Sequence, residues 1–256
     1  KGSEEQGKTQ APELQGMILT VRSNLSLMEN DPRLASQQSS QALICLSEEH
    51  RAWRALAAGN LGLAHLYSGN TSQAIRSLQQ AVEISKRSDN LYIRLWTTYA
   101  QTELHLLRGR LSAVERLCQE AFQAIGEHKR DYPIMSSLYH LALSEALRAQ
   151  NELAASLEHA QLGLEFARLG KHHFLTFAAF TQIGLIFQAL DESHEAERAF
   201  QQAHDQETSH LQICFWLPKR LQVRLWTQRW DPFTVEYWLQ ENSAQIEDRA
   251  SVLSDP

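Results

Sequence analysis

The chain has 256 residues, of which 43% are hydrophobic and 21% charged, and its formal net charge is -6. That balance excludes a chain too polar to build a core. It also argues against a surface made mainly to hold nucleic acid, which gains affinity by neutralising phosphate with lysine and arginine. Three widely spaced cysteines, Cys45, Cys118 and Cys214, form neither a disulfide framework nor a metal motif, so a reducing, cytoplasmic setting is expected. No apolar run reaches the roughly 18 residues of a membrane span, and the opening residues do not read as a secretory signal.

Residues 1–11 are polar and read as a disordered or linker segment. From residue 12 onward the chain reads as successive helix pairs. Asn30 is a first pivot, with Ala35 and Ala42 following five and twelve residues later. The passage from Asn60 to Gly69 ends at a second pivot, and Ala74 and Ala81 stand at the same two offsets. Gly109 is followed in this way by Val114 and Ala121, Gln150 by Ala155 and Leu162, and Asp191 by Ala196 and Ala203. Trp230, the last pivot, gives Val235 but then Asn242, as in a degenerate terminal unit. Small residues at fixed offsets let two helix backbones cross closely. Between pivots, Ala74, Ile75, Leu78, Ala81, Val82 and Ile84 form an apolar stripe of helical period. Ser72 and Ser193 are candidate helix caps, and no stretch alternates as a strand would.

The sequence therefore predicts an all-α fold: a right-handed α-solenoid of about six antiparallel helical hairpins over residues 12–240, with a period of 39–41 residues. Residues 241–256 are left as a tail or the start of a truncated further repeat. A single all-α bundle would explain the helices but not the constant phase of the pivots. Stacked hairpins explain both, because one hairpin cannot bury its own apolar face.

The pattern resembles the tetratricopeptide (TPR) family. Gly62 and Gly184 occupy its small position seven residues before the turn, and Ala74, Ala155 and Ala196 its first small position in the second helix. Ala81, Ala121 and Ala203 fall at its second small position, and Leu78, Cys118 and Phe200 at its large apolar one. Thr102, Leu143 and Leu162 depart from it. The long period, and the run from Arg220 to Trp230 followed by Val235 to Leu239, are similar to the superhelical sensor region of LuxR-family bacterial activators typified by the maltose regulator (MalT-like). The resemblance implies a non-catalytic, effector-sensing middle segment. Its NTPase and helix-turn-helix companions are absent from this chain, so direct nucleic-acid binding is not expected of it.

In the resembled family, ligands sit on the concave face made by the first helix of each hairpin. Carrying its groove positions over one repeat at a time selects Trp96, Tyr99, Glu103, His140, Ser144, Arg148, Thr181, Gln188, Arg220 and Arg224. Aromatic rings there suit stacking, and guanidinium groups suit a carboxylate or phosphate. A small polar effector or a peptide would fit, and homo-oligomerisation is possible in principle. The packing alternatives stay open: Trp96 and Tyr99 as fillers between hairpins, Arg220 and Arg224 as a solvated face. Trp216, Trp226, Trp230 and Trp238 crowd the carboxy end as either a cap or a docking surface. No catalytic constellation stands out, His172 and His173 lack a third ligand for a metal, and no cofactor motif is visible.

Overall fold

Each hairpin turn closes in the same way. In this computed structural model, which describes residues 2–29 and 31–206 with side chains from Ala11 onward except Met28, five six-residue turns are each shut by one backbone bond. The N–H groups of Asp31, Asn70, Arg110, Glu152 and Glu192 donate to the carbonyls of Ser26, His65, His105, Leu147 and Phe187, at 2.8–2.9 Å. These bonds occupy carbonyls that a helix end would otherwise leave open. The residue before the donor is left-handed wherever it is described: Gly69 (φ 81°), Gly109 (64°), Asn151 (66°) and Asp191 (61°).

The turns join ten helices in five pairs: α1 (Gly2–Met28) with α2 (Pro32–Cys45), α3 (Arg51–Tyr67) with α4 (Thr71–Lys86), and α5 (Leu91–Leu107) with α6 (Leu111–Ile125). The remaining pairs are α7 (Pro133–Ala149) with α8 (Leu153–Leu169), and α9 (His173–Ala189) with α10 (Ser193–Asp205). A 3-10 turn at His128–Arg130 precedes α7, and no strand occurs among the described residues. Residues 2–11, read from sequence as a linker, fall within α1. The sixth hairpin, the tryptophan-rich carboxy end, and the tail at 241–256 lie outside the described residues.

Two sequence readings shift. The fourth pivot is Asn151 rather than Gln150, because a left-handed backbone is tolerated better by asparagine than by glutamine. Corrected by one residue, the small positions of α8 are Ser156 and Gly163, both buried, and that of α7 is Ser144. Leu143 and Leu162 are thus not departures at all. Nor do Ser72 and Ser193 cap their helices: the N-cap residues are Asn70 and Glu192, neither making a side-chain capping bond. Asp31 and Asn90 do cap α2 and α5, accepting from Leu34 N at 2.9 Å and Ile93 N at 3.2 Å.

Size complementarity sets each hairpin seam. A Cβ placed on Gly62 would come within 2.5 Å of Leu78, and one on Gly184 within 2.5 Å of Phe200. Where the first helix carries a larger residue at this level, Thr102 or Ser144, the second helix answers with Cys118 or Ala160, all fully buried. The volume is shared differently but the helices still meet closely.

Neighbouring hairpins are joined by polar as well as apolar contacts. Asn60 donates to Thr20 O (3.2 Å) and Ser23 Oγ (2.9 Å) of α1. Thr97 donates to Ser85 Oγ of α4 (2.9 Å), Tyr139 to Leu95 O of α5 (2.6 Å), and Gln182 to Ser144 Oγ of α7 (3.3 Å). The odd-numbered helices also pack on one another in succession, from α1 to α9, while no two even-numbered helices approach each other comparably among the described residues. A two-layer stack whose odd layer is the more crowded curves toward that layer, so the odd helices line the inner face.

Candidate ligand-binding face

Three adjacent inner helices bring aromatic rings and carboxylates together. On α5, Trp96, Tyr99 and Glu103 recur at helical spacing, so they share one side of the helix. The Trp96 and Tyr99 ring centroids are 6.4 Å apart. The Tyr99 hydroxyl donates to Glu103 Oε1 at 2.8 Å, and Glu103 is only 6% exposed. The Tyr99 ring also stands edge-on to Tyr139 of α7, 5.8 Å away.

Tyr67 of α3 and Glu145 of α7 complete the group. Burial, then the Glu103 charge and hydrogen bond, then Tyr67 and Glu145, hold the Tyr99 phenol well above its ordinary range. Burial and then Glu103 push the Tyr67 phenol up in the same way. Both phenols thus stay protonated and remain hydrogen-bond donors at any physiological pH. Trp96 and Tyr99 are themselves buried, at 8% and 6% exposure, while Tyr67 and Glu145 are partly buried.

The ten residues selected from sequence divide into distinct places. Trp96, Tyr99 and Glu103 form the group just described. Arg148, half-buried in the last turn of α7, lies three residues beyond Glu145 on the same helix, and Gln188 is exposed near the end of α9. Thr181 is fully buried and donates to Phe177 O at 2.9 Å. Ser144 faces α8 rather than the inner surface and donates to Ser156 O at 2.8 Å. His140 turns toward α6 and α8: its Nδ1 meets His159 Nδ1 at 2.9 Å, and its ring packs against those of Phe122 and Phe166. Arg220 and Arg224 lie outside the described residues. Glu145 was missed because of the one-residue slip at Gln150, since six residues before Asn151 is Glu145, not Ser144. Tyr67 was within reach of the same groove rule, two residues before Gly69.

The repeat geometry and the comparisons with known proteins agree. Residues 16–254 match the family described as the MalT-like TPR region. The chain belongs to that family. Relatives of this MalT-like TPR region include the HTH-type transcriptional regulator MalT of Yersinia pestis (strain Pestoides F) and of Yersinia pseudotuberculosis serotype O:1b (strain IP 31758). Each is 25% identical over 146 residues, covering 57% of this chain and 16% of the relative. The regulator of the same description from Yersinia enterocolitica serotype O:8 matches to the same extent. The shared stretch is therefore under a fifth of those proteins' length. A MalT-like TPR region has a regulatory, non-catalytic role. Among the described residues no group of three or more His, Cys, Asp or Glu side chains is placed to hold a metal, and no helix is long and apolar enough to cross a membrane.

Proposed function

We propose that this MalT-like TPR region senses a small polar effector on the inner face of α3, α5 and α7, and passes its occupancy to neighbouring domains of a transcriptional activator. The carrying observation is the buried Tyr99–Glu103 hydrogen bond, flanked by Trp96, Tyr67 and Glu145. Keeping a carboxylate in so dry a place is costly unless its bonds are met, which suits a site that exchanges partners with a ligand. Because the face spans three hairpins, a ligand touching all of them would favour one curvature of the stack over another, the differential affinity any such switch requires. NTPase and DNA-binding domains are the proposed recipients of that change, and the relatives' description as HTH-type transcriptional regulators supports this.

Calorimetric titration with a panel of oligosaccharides, amino acids, nucleotides and amines tests the reading. One class should bind saturably, and Trp96→Ala and Glu103→Gln, each checked for retained helicity, should weaken it at least about tenfold, near 1.4 kcal/mol. Binding of a peptide or partner helix with no response to any metabolite would instead make the face an interaction scaffold. A panel without heat, or variants that bind as well as the parent, removes the sensing role.

A further inference from the structure

The middle of the inner face is buried although the helices that form it stand beside one another. The carbonyls that close the turns give all hairpins one register. Nine residues before them, Trp96 and Leu138 occupy inner positions, and two residues before them, Leu63, Glu103 and Leu185 do so; all five are buried. Among the described residues α5 packs on α3, α4, α6 and α7. These lie behind and beside its inner side, which leaves the front of Trp96 and Glu103 to be covered by something else. At the inner positions of α3, α5 and α7 the carboxylates Glu103 and Glu145 outnumber the one cation, Arg148. A cover must therefore bring apolar surface and positive charge together, because a carboxylate in a dry place is costly unless it is answered.

The sequence after residue 206 has that composition. Residues 208–230 hold Lys219, Arg220, Arg224 and Arg229, no Asp or Glu, and three tryptophans. The same stretch lacks what joins the five described hairpins. Seven residues before and nine after the left-handed turn residue stand Gly62 with Leu78, Thr102 with Cys118, Ser144 with Ala160, and Gly184 with Phe200, each pair with at least one small member. The same offsets from Trp230 give Val223 with Leu239, both branched and large. Trp230 itself would fill the place held by Gly69, Gly109, Asn151 and Asp191, where a bulky side chain is strongly disfavoured. Distance allows a different course. From α10 to α5 is about three helix spacings, roughly 24–30 Å. The ten residues from Gln206 to Trp216 can span about 33–36 Å when extended.

We propose that residues 211–230 of this chain fold back across the inner face of α3, α5 and α7, with the Arg220 and Arg224 guanidinium groups on the Glu103 and Glu145 carboxylates and the tryptophans against the apolar positions around Trp96. Arg220 and Arg224 stand one helical turn apart, as two cations serving neighbouring carboxylates would. The inference concerns the proposed effector face but does not rest on effector binding. A ligand entering there would displace this segment or share the face with it, which gives the face a built-in competitor.

Paramagnetic broadening in the 256-residue chain, with no ligand present, tests it. A nitroxide is attached at Leu107→Cys, an exposed position in the last turn of α5, with Cys45→Ser and Cys214→Ser, while buried Cys118 stays unlabelled. Amide signals of residues 216–230 should be lost and should return when the nitroxide is reduced. A sixth hairpin stacked on α9 and α10 would stand about 24–30 Å from α5 and would keep its signals, which overturns the proposal. Arg220→Glu with Arg224→Glu should restore the signals, whereas Arg220→Lys with Arg224→Lys should leave them lost. Broadening that persists in the glutamate pair overturns the assignment of the arginines. Broadening that passes from a labelled chain to an unlabelled one in a mixture also overturns the proposal, because the occupant is then a second copy.

Discussion

His140 Nδ1 lies 2.9 Å from His159 Nδ1, so one imidazole donates to the other and the pair holds a single proton between those atoms. The His140 ring packs against Phe122 of α6, with centroids 4.5 Å apart, and stacks on Phe166 of α8 at 5.6 Å. Burial, then His159, then Lys129 push the His140 imidazole down to about 3. His159 is lowered mainly by burial, with Glu158 drawing it upward and Lys129 adding to the fall.

Both groups thus titrate lower in the folded chain than in the unfolded one, whose imidazoles take protons near pH 6.5. The stability they confer is complete above that pH and is lost as pH falls toward 3. For buried His140 the slope approaches about 1.4 kcal/mol per pH unit, and partly buried His159 adds less through screening. Urea midpoints measured from pH 7.5 to 4.5 should fall more steeply for the parent than for His140→Phe, which keeps a flat ring against the two phenylalanines. Parallel curves would show that the pair does not couple folding to protons.

Much of this fold was readable from residue spacing, and the unread part has a specific cause. The offsets from Gly69, Gly109 and Asp191 locate the hairpins because a left-handed residue and two small crossing positions recur together. At Gln150 the same offsets land one residue early, since both Gln150 and Asn151 are polar and only backbone conformation separates them. That slip moved the groove position from Glu145 to Ser144. His140 was selected by the same shifted count, and its contact with His159 depends on rotamers that spacing does not encode. Trp96, Tyr99 and Glu103 were legible because their turn contains a glycine.

The seam at Gly62 gives a stability contrast within one helix. Adding a methyl group there meets Leu78 side-chain atoms at 2.5 Å and its backbone nitrogen at 3.1 Å, so α4 must move. Overpacking of this kind costs about 1–3 kcal/mol, more than the gain from replacing a helical glycine by alanine, about 1 kcal/mol. At Gly59 the nearest atoms are 3.8 Å away, and only the gain remains. Thermal melts should therefore show Gly62→Ala below the parent and Gly59→Ala above it. The reverse order would mean that the seam is looser than its distances indicate.

The left-handed turn residues can be improved. Asp191 holds φ 61° and Asn151 holds φ 66°, where a β-carbon costs roughly 1–2 kcal/mol, less for these two residue types than for others. Asp191→Gly should raise the melting temperature by a few degrees, up to about 1 kcal/mol, with Asn151→Gly smaller because asparagine tolerates the region best. Gly109→Ala, at φ 64° with nothing near its Cβ, should lower it through backbone strain alone. Chemical denaturation with unchanged m-values would attribute all three shifts to the turn. A neutral Gly109→Ala would show that the turn backbone relaxes.

Tyr139 joins the third hairpin, α5 with α6, to the fourth through several contacts of one side chain and its backbone. Its hydroxyl donates to Leu95 O at 2.6 Å, its ring stands edge-on to Tyr99 at 5.8 Å and to Phe122 at 6.3 Å, and its own carbonyl accepts from Cys118 Sγ. Tyr139→Phe removes the hydroxyl bond alone and should cost about 1 kcal/mol. Tyr139→Ala also empties the space between α5, α6 and α7, at about 3–5 kcal/mol. A stack of repeats is held by nearest-neighbour terms, so weakening this one joint should separate the chain into two units. Hydrogen exchange should then show α7 to α10 opening independently of α1 to α6 in Tyr139→Ala, while Tyr139→Phe still unfolds in one step. If α1 to α10 continue to exchange together in the alanine variant, coupling between hairpins is carried by the small-residue seams and not by this tyrosine.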